Sequence, residues 1–142
     1  MKSTVQNLIL ISCVSQKRAK AIPARQLYIS PLFVKALAYA EQQNPDAIYI
    51  LSAKYGLVGL DTVIEPYDET LNTMATSDRR RWAEGVIHSV RERVNLEQTH
   101  VTLLAGTRYR EHLLPAFRSY DVPMKGLTIG RQLQFLSEHV HV

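Results

Sequence analysis

The sequence predicts an α/β protein, a three-layer Rossmann-like sandwich with a mostly parallel central sheet of about four or five strands. Short apolar runs recur at Leu8–Ile11, Ile48–Leu51 and Val101–Ala105, and each run ends at polar or turn-forming residues. Such runs are typical of strands buried on both faces. Segments with helical spacing lie between them, and this alternation favours a parallel sheet. Since no linker or repeat interrupts the pattern, we expect residues 1–142 to form one domain.

The first strand is expected over Val5–Cys13, and the first long helix begins at Ser30-Pro31. A serine at the N-cap accepts backbone hydrogen bonds, and a proline suits the first helical position. Apolar residues continue at helical spacing to about Gln43, where an Asn-Pro-Asp turn at residues 44–46 ends the helix. The second strand comes directly after this turn.

The second half of the chain repeats this alternation. Thr76 or Ser77 is expected to cap the next helix, and its buried stripe should comprise Trp82, Ala83, Val86, Ile87, Val90 and Val94. After the third strand, Gly106-Thr107 should begin a further helix. Val122–Lys125 is expected to form a short fourth strand, and Thr128 should cap the last helix.

The long connection from Ser52 to Asp68 has neither helical nor strand periodicity. It lies after the carboxyl end of a predicted strand, which is where ligands bind in open α/β sheets. The alternative is a solvated connection in which Pro66 fixes a turn. Connections of this length in compact domains are usually functional or disordered, and this one is too apolar for disorder.

The charge and residue composition limit the classes of partner and cofactor that we expect. The formal charge of +4 and the pI of about 9.3 are compatible with a polyanionic partner such as DNA or a nucleotide. The single cysteine favours a reducing, cytoplasmic environment. Five scattered histidines show no ligand spacing, so neither a metal nor a cofactor is expected. Leu8–Ile11 is too short to span a bilayer, and no membrane partner is expected. The oligomeric state is left open.

Basic and small polar residues recur where predicted strands end. Because the carboxyl ends of parallel strands meet at one edge, these residues should approach one another there and bind an anion such as phosphate. The alternative is that the long side chains extend into water, which applies also to the arginines at 79–81. The predicted substrate-binding residues are Ser12, Cys13, Lys17, Ser52, Lys54, Tyr55, Gly56, Tyr67, Gly106, Arg108, Tyr109 and Arg110.

Three carboxylates in the long connection, Asp61, Glu65 and Asp68, are the predicted catalytic residues. A carboxylate can orient a water or stabilise a developing cation, as in the cleavage of a glycosidic bond. Alternatively, these acids simply pair with nearby basic residues. Tyr55 and Tyr67 are candidates for stacking on a base, although buried tyrosines often only fill space.

Several segments resemble a widespread family of small bacterial, archaeal and phage domains related to the peroxide-stress protein YaaA. They are LILISCVSQK, PARQLYISPLF, ILSAKYGLVGLDTVIEPYD, LLAGTRYREHLLP and GLTIGRQLQFL, and together they cover nearly the whole chain. The most specific block runs from SAKYGL to EPYD, where Tyr55, Gly56, Asp61, Pro66 and Tyr67 match the YaaA pattern. The resemblance implies a uracil-DNA-glycosylase-like fold and a link to DNA or its damage. The chain lacks the long additional segments of YaaA proteins, including their DNA-gripping hairpin region.

These observations lead to one principal hypothesis and two alternatives. The principal hypothesis is a DNA glycosylase-like enzyme that cleaves the N-glycosidic bond of a modified or damaged base, in genome maintenance or phage conflict. The carboxylates would stabilise the oxocarbenium-like sugar and orient water. One alternative is a non-catalytic module that binds DNA or another partner. The other is a hydrolase or transferase that acts on free nucleotides or nucleosides.

Overall fold

The computed structural model describes residues 6–12 and 20–140. The strands in this part of the chain are β1 Asn7–Ser12, β2 Ile22–Pro23, β3 Ala47–Ser52, β4 Gly56–Gly59, β5 Val63–Ile64, β6 His100–Leu104 and β7 Ser119–Asp121. The α-helices are α1 Ala24–Leu27, α2 Pro31–Gln42, α3 Thr76–Arg93, α4 Thr107–Arg110 and α5 Ile129–His139. Single 3-10 turns occur at Leu71–Thr73 and Leu114–Ala116.

Five strands form one sheet in the order β4-β3-β1-β6-β7. β1 is parallel to β3 and to β6, β7 is parallel to β6, and β4 alone is antiparallel. The predicted mostly parallel sheet with helices packed on it is therefore confirmed. We call the side where the four parallel strands end the carboxyl edge, and the side where they begin the amino edge. β2 and β5 form a separate two-stranded antiparallel pair.

The direction in which the chain adds strands to the sheet reverses between β1 and β6. The chain leaves β1 and enters β3 on one side, and it later enters β6 on the other side. The apolar run Leu8–Ile11 lies at this centre and is almost fully buried, with Leu10 and Ile11 completely inaccessible. This explains why the run shows no alternation of apolar and polar residues, since both faces of the strand are covered.

Local chemistry fixes the starts of the two helices that pack together, α2 and α5. The Ser30 hydroxyl accepts a hydrogen bond from the backbone N–H of Phe33 at 3.3 Å, with Pro31 in the first turn. The Thr128 hydroxyl accepts one from the N–H of Arg131, also at 3.3 Å. Both predicted helix starts are confirmed. In each, a short hydroxyl side chain satisfies an N–H group that the helix leaves unpaired.

Two element predictions are wrong. Residues 122–125 form a turn, and the strand lies earlier, at Ser119–Asp121. All three residues of this edge strand are exposed, so it carries no apolar signal. The predicted connection at 52–68 contains β4 and β5. Gly56, in the left-handed conformation with φ of 75°, lets the chain turn back antiparallel to β3.

The other helix boundaries differ less. The helix after residue 75 begins at Thr76, and its N-cap is Ala75, without a side-chain cap. The helix predicted after Gly106 shortens to one turn of α-helix with a 3-10 turn after it. Within the described part of the chain, none of the helices combines the length and apolarity that a membrane crossing requires.

Candidate functional site

A cavity of about 420 Å³ opens at the carboxyl edge, between the ends of β1 and β6. We call it the switch-point pocket, because β1 and β6 are the two strands between which the strand order reverses. Ser12 lies at the end of β1, and residues 104–106 continue from β6. The first turns of α2 and α5, together with Asn72, Tyr109 and Met124, complete the walls. The geometry matches the crevice in which open α/β sheets bind their ligands.

The walls of the switch-point pocket are mainly apolar and well ordered by packing. Phe33 and Tyr109 are 1% and 2% exposed, and both belong to the hydrophobic core. The Tyr28 ring packs behind Phe33 at 5.1 Å between ring centres. The Tyr109 ring meets Trp82 edge-on at 5.7 Å. A preformed, largely apolar cavity with a few polar groups is typical of a small-molecule site.

Polar groups occur at a few positions around this cavity. The Ser12 hydroxyl accepts a hydrogen bond from the Gly106 N–H at 3.2 Å, which ties the ends of β1 and β6 together. The Gln132 amide donates to the Leu127 carbonyl at 2.9 Å. The first turns of α2 and α5 contribute backbone N–H groups beyond those that Ser30 and Thr128 satisfy, as every helix start does.

The two predicted stacking tyrosines have different environments. Tyr67 is buried, with its hydroxyl 2.6 Å from that of Tyr28, so it extends the aromatic packing behind Phe33. The Tyr55 ring meets Tyr67 edge-on at 5.8 Å and remains 38% exposed. The Lys54 ammonium lies 5.4 Å from the centre of the Tyr55 ring. Of the two rings, Tyr55 alone keeps a surface on which a base could stack.

Ser52 and Gly56 serve the turn between β3 and β4. Ser52 is fully buried, and its hydroxyl accepts a hydrogen bond from the Tyr55 N–H at 3.0 Å. Its carbonyl accepts from the Trp82 indole N–H at 2.8 Å. These hydrogen bonds explain why a serine lies at the end of β3, and the explanation requires no bound ligand.

Asp61 lies away from the other predicted site residues. Because β4 runs antiparallel to β3, the chain returns to the amino edge, and Asp61 lines a groove there with Ala47 and Ile48. Its carboxylate is 3.0 Å from the Arg25 Nε and is 83% exposed. The length of β3, about 16 Å for six residues, separates it from Lys54. The expected grouping of Asp61 with Lys54 is therefore wrong.

Glu65 and Asp68 are exposed and lie in the segment that leads from β5 to the switch-point pocket. Asp68 precedes the lining residue Asn72 by four positions. The Tyr109 hydroxyl accepts a hydrogen bond from the Leu71 N–H at 3.3 Å, which fixes the end of this segment against the wall of the pocket. Neither carboxylate lines the pocket, and Asp68 is nearer in the chain than Glu65 to a lining residue.

Among the residues that the structure describes, the predicted basic residues do not form one cluster. The Arg110 guanidinium donates to the Ala105 carbonyl at 2.8 Å, just after β6. Arg108 is half-exposed, 4.0 Å from the Glu111 carboxylate. Cys13 and Lys17, predicted for the same edge, lie outside the described residues.

Sequence reasoning missed one important arginine. Arg79 is 6% exposed, and its guanidinium donates to the Met74 carbonyl, to the Thr76 hydroxyl at 3.1 Å and to Glu111 at 3.2 Å. It thereby ties the loop after Asn72 to the residue at the end of α4. Arg79 neither extends into water nor requires a bound anion. The signal was its spacing, since position 79 continues the buried stripe at 83, 86 and 90.

In residues 6–12 and 20–140, no group of three or more histidine, cysteine or acidic side chains is placed to hold a metal ion.

No curated protein sequence matches the chain. The profile described as "Family of unknown function (DUF6884)" matches residues 8–138. The chain therefore belongs to the DUF6884 family.

Proposed function

We propose that this protein is a DNA glycosylase-like enzyme that receives a modified or damaged base in the switch-point pocket. The position of the pocket is the main support, since it lies outside the carboxyl ends of β1 and β6 where the strand order reverses. Its volume of about 420 Å³ falls within the range of small-molecule sites. Its apolar walls suit the faces of an extruded base.

The described residues suggest which of them would bind the base, attract the phosphate and act on the sugar. The base packs between apolar walls that include Phe33 and Tyr109, and Tyr55 stacks on a neighbouring base. Phosphate is attracted by the first turns of α2 and α5. Glu65 or Asp68 supplies the carboxylate that stabilises the sugar cation and orients water. Asp61 takes no part, because Arg25 pairs with it at the opposite edge.

Several finer expectations belong to this proposal. In a three-layer Rossmann-like sandwich, right-handed crossovers from β1 to β3 and from β3 to β6 would put α2 and α3 on opposite faces of the sheet. We propose this arrangement, together with the uracil-DNA-glycosylase-like fold and the relationship to YaaA proteins that the motifs suggest. The single cysteine supports a cytoplasmic location.

The test is the release of free base from DNA. Single-stranded and duplex oligonucleotides that carry a panel of modified bases are incubated with the protein, and the supernatant is analysed by mass spectrometry. We expect release from at least one substrate. Replacing the true catalytic carboxylate, by Glu65→Gln or Asp68→Asn, should lower the rate about 100-fold or more.

Asp61→Asn is the matched control, since it removes an exposed carboxylate from the same connection but at the amino edge. It should keep the wild-type rate. If no substrate yields free base, or if Asp61→Asn alone abolishes release, the proposal fails. Salt-dependent DNA binding that is insensitive to all three changes would indicate a non-catalytic binding module.

The second candidate is a hydrolase or transferase of free nucleotides or nucleosides. The observation in its favour is the shape of the site, because a cavity lined from both sides by helix starts can enclose a single nucleotide unit. Calorimetric titration with nucleosides and nucleotides tests it. Binding of these compounds together with no measurable affinity for DNA would favour this candidate over the glycosylase.

A further inference from the structure

A second group of reactive side chains lies at the amino edge, on the strands β6 and β7. The parallel register puts His100 opposite Ser119 and Thr102 opposite Asp121. Since side chains alternate between the two faces of a strand, these four residues project from the same face. The His100 Nδ1 is 2.6 Å from the Ser119 hydroxyl oxygen, and the His100 Nε2 is 2.7 Å from an oxygen of the Asp121 carboxylate.

For an ionised carboxylate and a neutral imidazole, the chemistry of the groups gives these hydrogen bonds one direction. An ionised carboxylate only accepts, so the His100 Nε2–H donates to Asp121. In the neutral imidazole the Nδ1 then carries the lone pair, and it accepts the hydrogen bond from the Ser119 hydroxyl. The Thr102 hydroxyl donates to the same carboxylate oxygen at 2.8 Å and helps to hold it in place. A hydroxyl, a base and a group that orients the base are thus connected in series.

The serine and histidine also line an open groove in which a substrate could bind. The groove runs along the start of β1 and β6, and polar side chains surround it, among them Asn7, Gln98 and Arg118. Arg118 is ion-paired with Glu97, which lines the same groove, so the side-chain amides of Asn7 and Gln98 would donate the hydrogen bonds to a developing oxyanion. The side chains of His100 and Asp121 are 39% and 49% exposed, so a ligand can reach them. The groove is shallow and polar, which suits a short acyl group better than a long one.

From this arrangement we infer that the amino edge carries a second catalytic site, an esterase-like centre for carboxylic esters with a short acyl group. Ser119 is the nucleophile, His100 is the general base, and Asp121 is the residue that positions His100. The site lies at the end of the sheet opposite to the switch-point pocket and is independent of the function proposed for that pocket.

The reaction proceeds in two balanced steps. The Ser119 oxygen bonds to the acyl carbon while its proton moves to the His100 Nδ1. The carbon–oxygen bond to the alcohol then breaks, and the alcohol leaves with that proton. In the second step a water molecule loses a proton to His100 and attacks the acyl carbon, the acid is released, and Ser119 regains its proton from His100. No oxidant, metal or cofactor is needed for either step.

A purely structural role for these hydrogen bonds is the competing explanation. β7 is a three-residue edge strand whose side chains are all exposed, and bonds across to His100 and Thr102 help to hold it on β6. Both explanations predict some loss of stability when the residues are replaced. Only the catalytic one predicts that Ser119 reacts as a nucleophile.

The experiment is covalent labelling with a fluorophosphonate probe, with the modified peptide identified by mass spectrometry, alongside hydrolysis of p-nitrophenyl acetate. We expect the probe to label Ser119, and Ser119→Ala to abolish both labelling and hydrolysis. His100→Gln, which keeps a hydrogen-bonding side chain, should lower both rates about 100-fold or more. Ser77→Ala, which removes an exposed serine at the start of α3, is the control and should leave both rates unchanged.

Asp121→Asn tests the positioning role. An amide donates to the imidazole Nε2 and so favours the tautomer with hydrogen on Nδ1, which cannot accept the serine proton. The nitrogen chemical shifts of the His100 ring should therefore exchange, and the labelling rate should fall by a factor similar to that for His100→Gln. Thermal unfolding of each variant establishes that it is folded. If the folded wild-type protein shows no labelling of Ser119, or if Asp121→Asn labels at the wild-type rate, the inference is wrong.

Discussion

The two edges of one sheet are built from different chemistry. At the carboxyl edge, buried rings such as Phe33 and Tyr109 form the walls of a cavity. At the amino edge, exposed side chains are joined by short hydrogen bonds, as between Arg25 and Asp61 or between His100 and Asp121. The edge where ligands are expected in such folds therefore holds the apolar cavity, and the opposite edge holds connected polar side chains such as those of His100, Ser119 and Asp121.

Buried apolar contacts determine the shape of a site, whereas exposed polar side chains are the groups that can react in it. Exposed ion pairs contribute about 0–1 kcal/mol to stability, so the amino edge depends little on them for its fold. The carboxyl edge depends on buried contacts, because the rings that wall its cavity also belong to the core. Substitutions should therefore affect stability strongly near the switch-point pocket and weakly at the amino edge.

The largest effect is expected for Arg79→Met. The buried guanidinium holds the Met74 carbonyl and the Glu111 carboxylate, whose side chain is 31% exposed, and its removal leaves both without that donor. We expect the free energy of unfolding to fall by about 3 kcal/mol, as for other partly buried ion pairs that lose one member. Chemical denaturation with urea measures it. Ligand binding at the switch-point pocket should weaken as well, since the loop that carries Asn72 loses its tether.

Arg80→Met is the matched control for this substitution. It removes the same side chain from the neighbouring position, where the residue is exposed. The change in stability should stay within about 0.5 kcal/mol. Equal effects of the two substitutions would show that Arg79 does not hold the wall of the pocket.

Much of the fold could be predicted from the sequence because it is encoded locally. The central strand is one apolar run at Leu8–Ile11, and the helix starts at Ser30 and Thr128 carry their own caps. β7 could not be predicted, because an exposed three-residue strand is held by pairing with β6 and has no pattern of its own. Its polar residues form their cluster only after that pairing.

The candidate site was predictable only in part, for a related reason. Ser12, Gly106 and Tyr109 lie at the predicted edge, since each is found at or after the end of a strand whose direction the alternating pattern indicates. Asp61 was misplaced because the reversal at Gly56 sends β4 back along β3, and that reversal depends on how the two strands pair. The glycine was visible in the sequence, but its consequence for Asp61 was not.

An intermediate effect is expected for Ser30→Ala. The buried hydroxyl caps the first turn of α2 at the pocket, and its loss leaves the Phe33 N–H without that acceptor. We expect about 1 kcal/mol of destabilisation in urea denaturation. Thr128→Ala removes the same kind of cap from α5 at an exposed position, where water can replace the hydroxyl, and it should cost about 0.5 kcal/mol. A larger loss for Thr128→Ala would contradict the contrast between buried and exposed caps.

The smallest effect is expected at the amino edge, for Asp46→Asn. The Asp46 carboxylate accepts hydrogen bonds from the backbone N–H groups of Asn7 and Gln6, at 2.9 and 3.0 Å. These bonds lower the pKa of Asp46 below its ordinary value of about 3.8. The unfolded chain therefore binds a proton first as the pH falls, so the contribution is complete above the ordinary pKa and is lost as the pH falls through the lowered one.

Wild-type stability should accordingly fall below about pH 4, and Asp46→Asn should flatten that decline and lower stability at pH 7 by the same small amount. Thermal unfolding as a function of pH measures both. Glu84→Gln removes an exposed carboxylate from the middle of α3 and controls for the loss of one negative charge. If Asp46→Asn and Glu84→Gln give the same acid limb, the hydrogen bonds to the start of β1 do not set it. The amino edge would then owe its acid stability to other carboxylates.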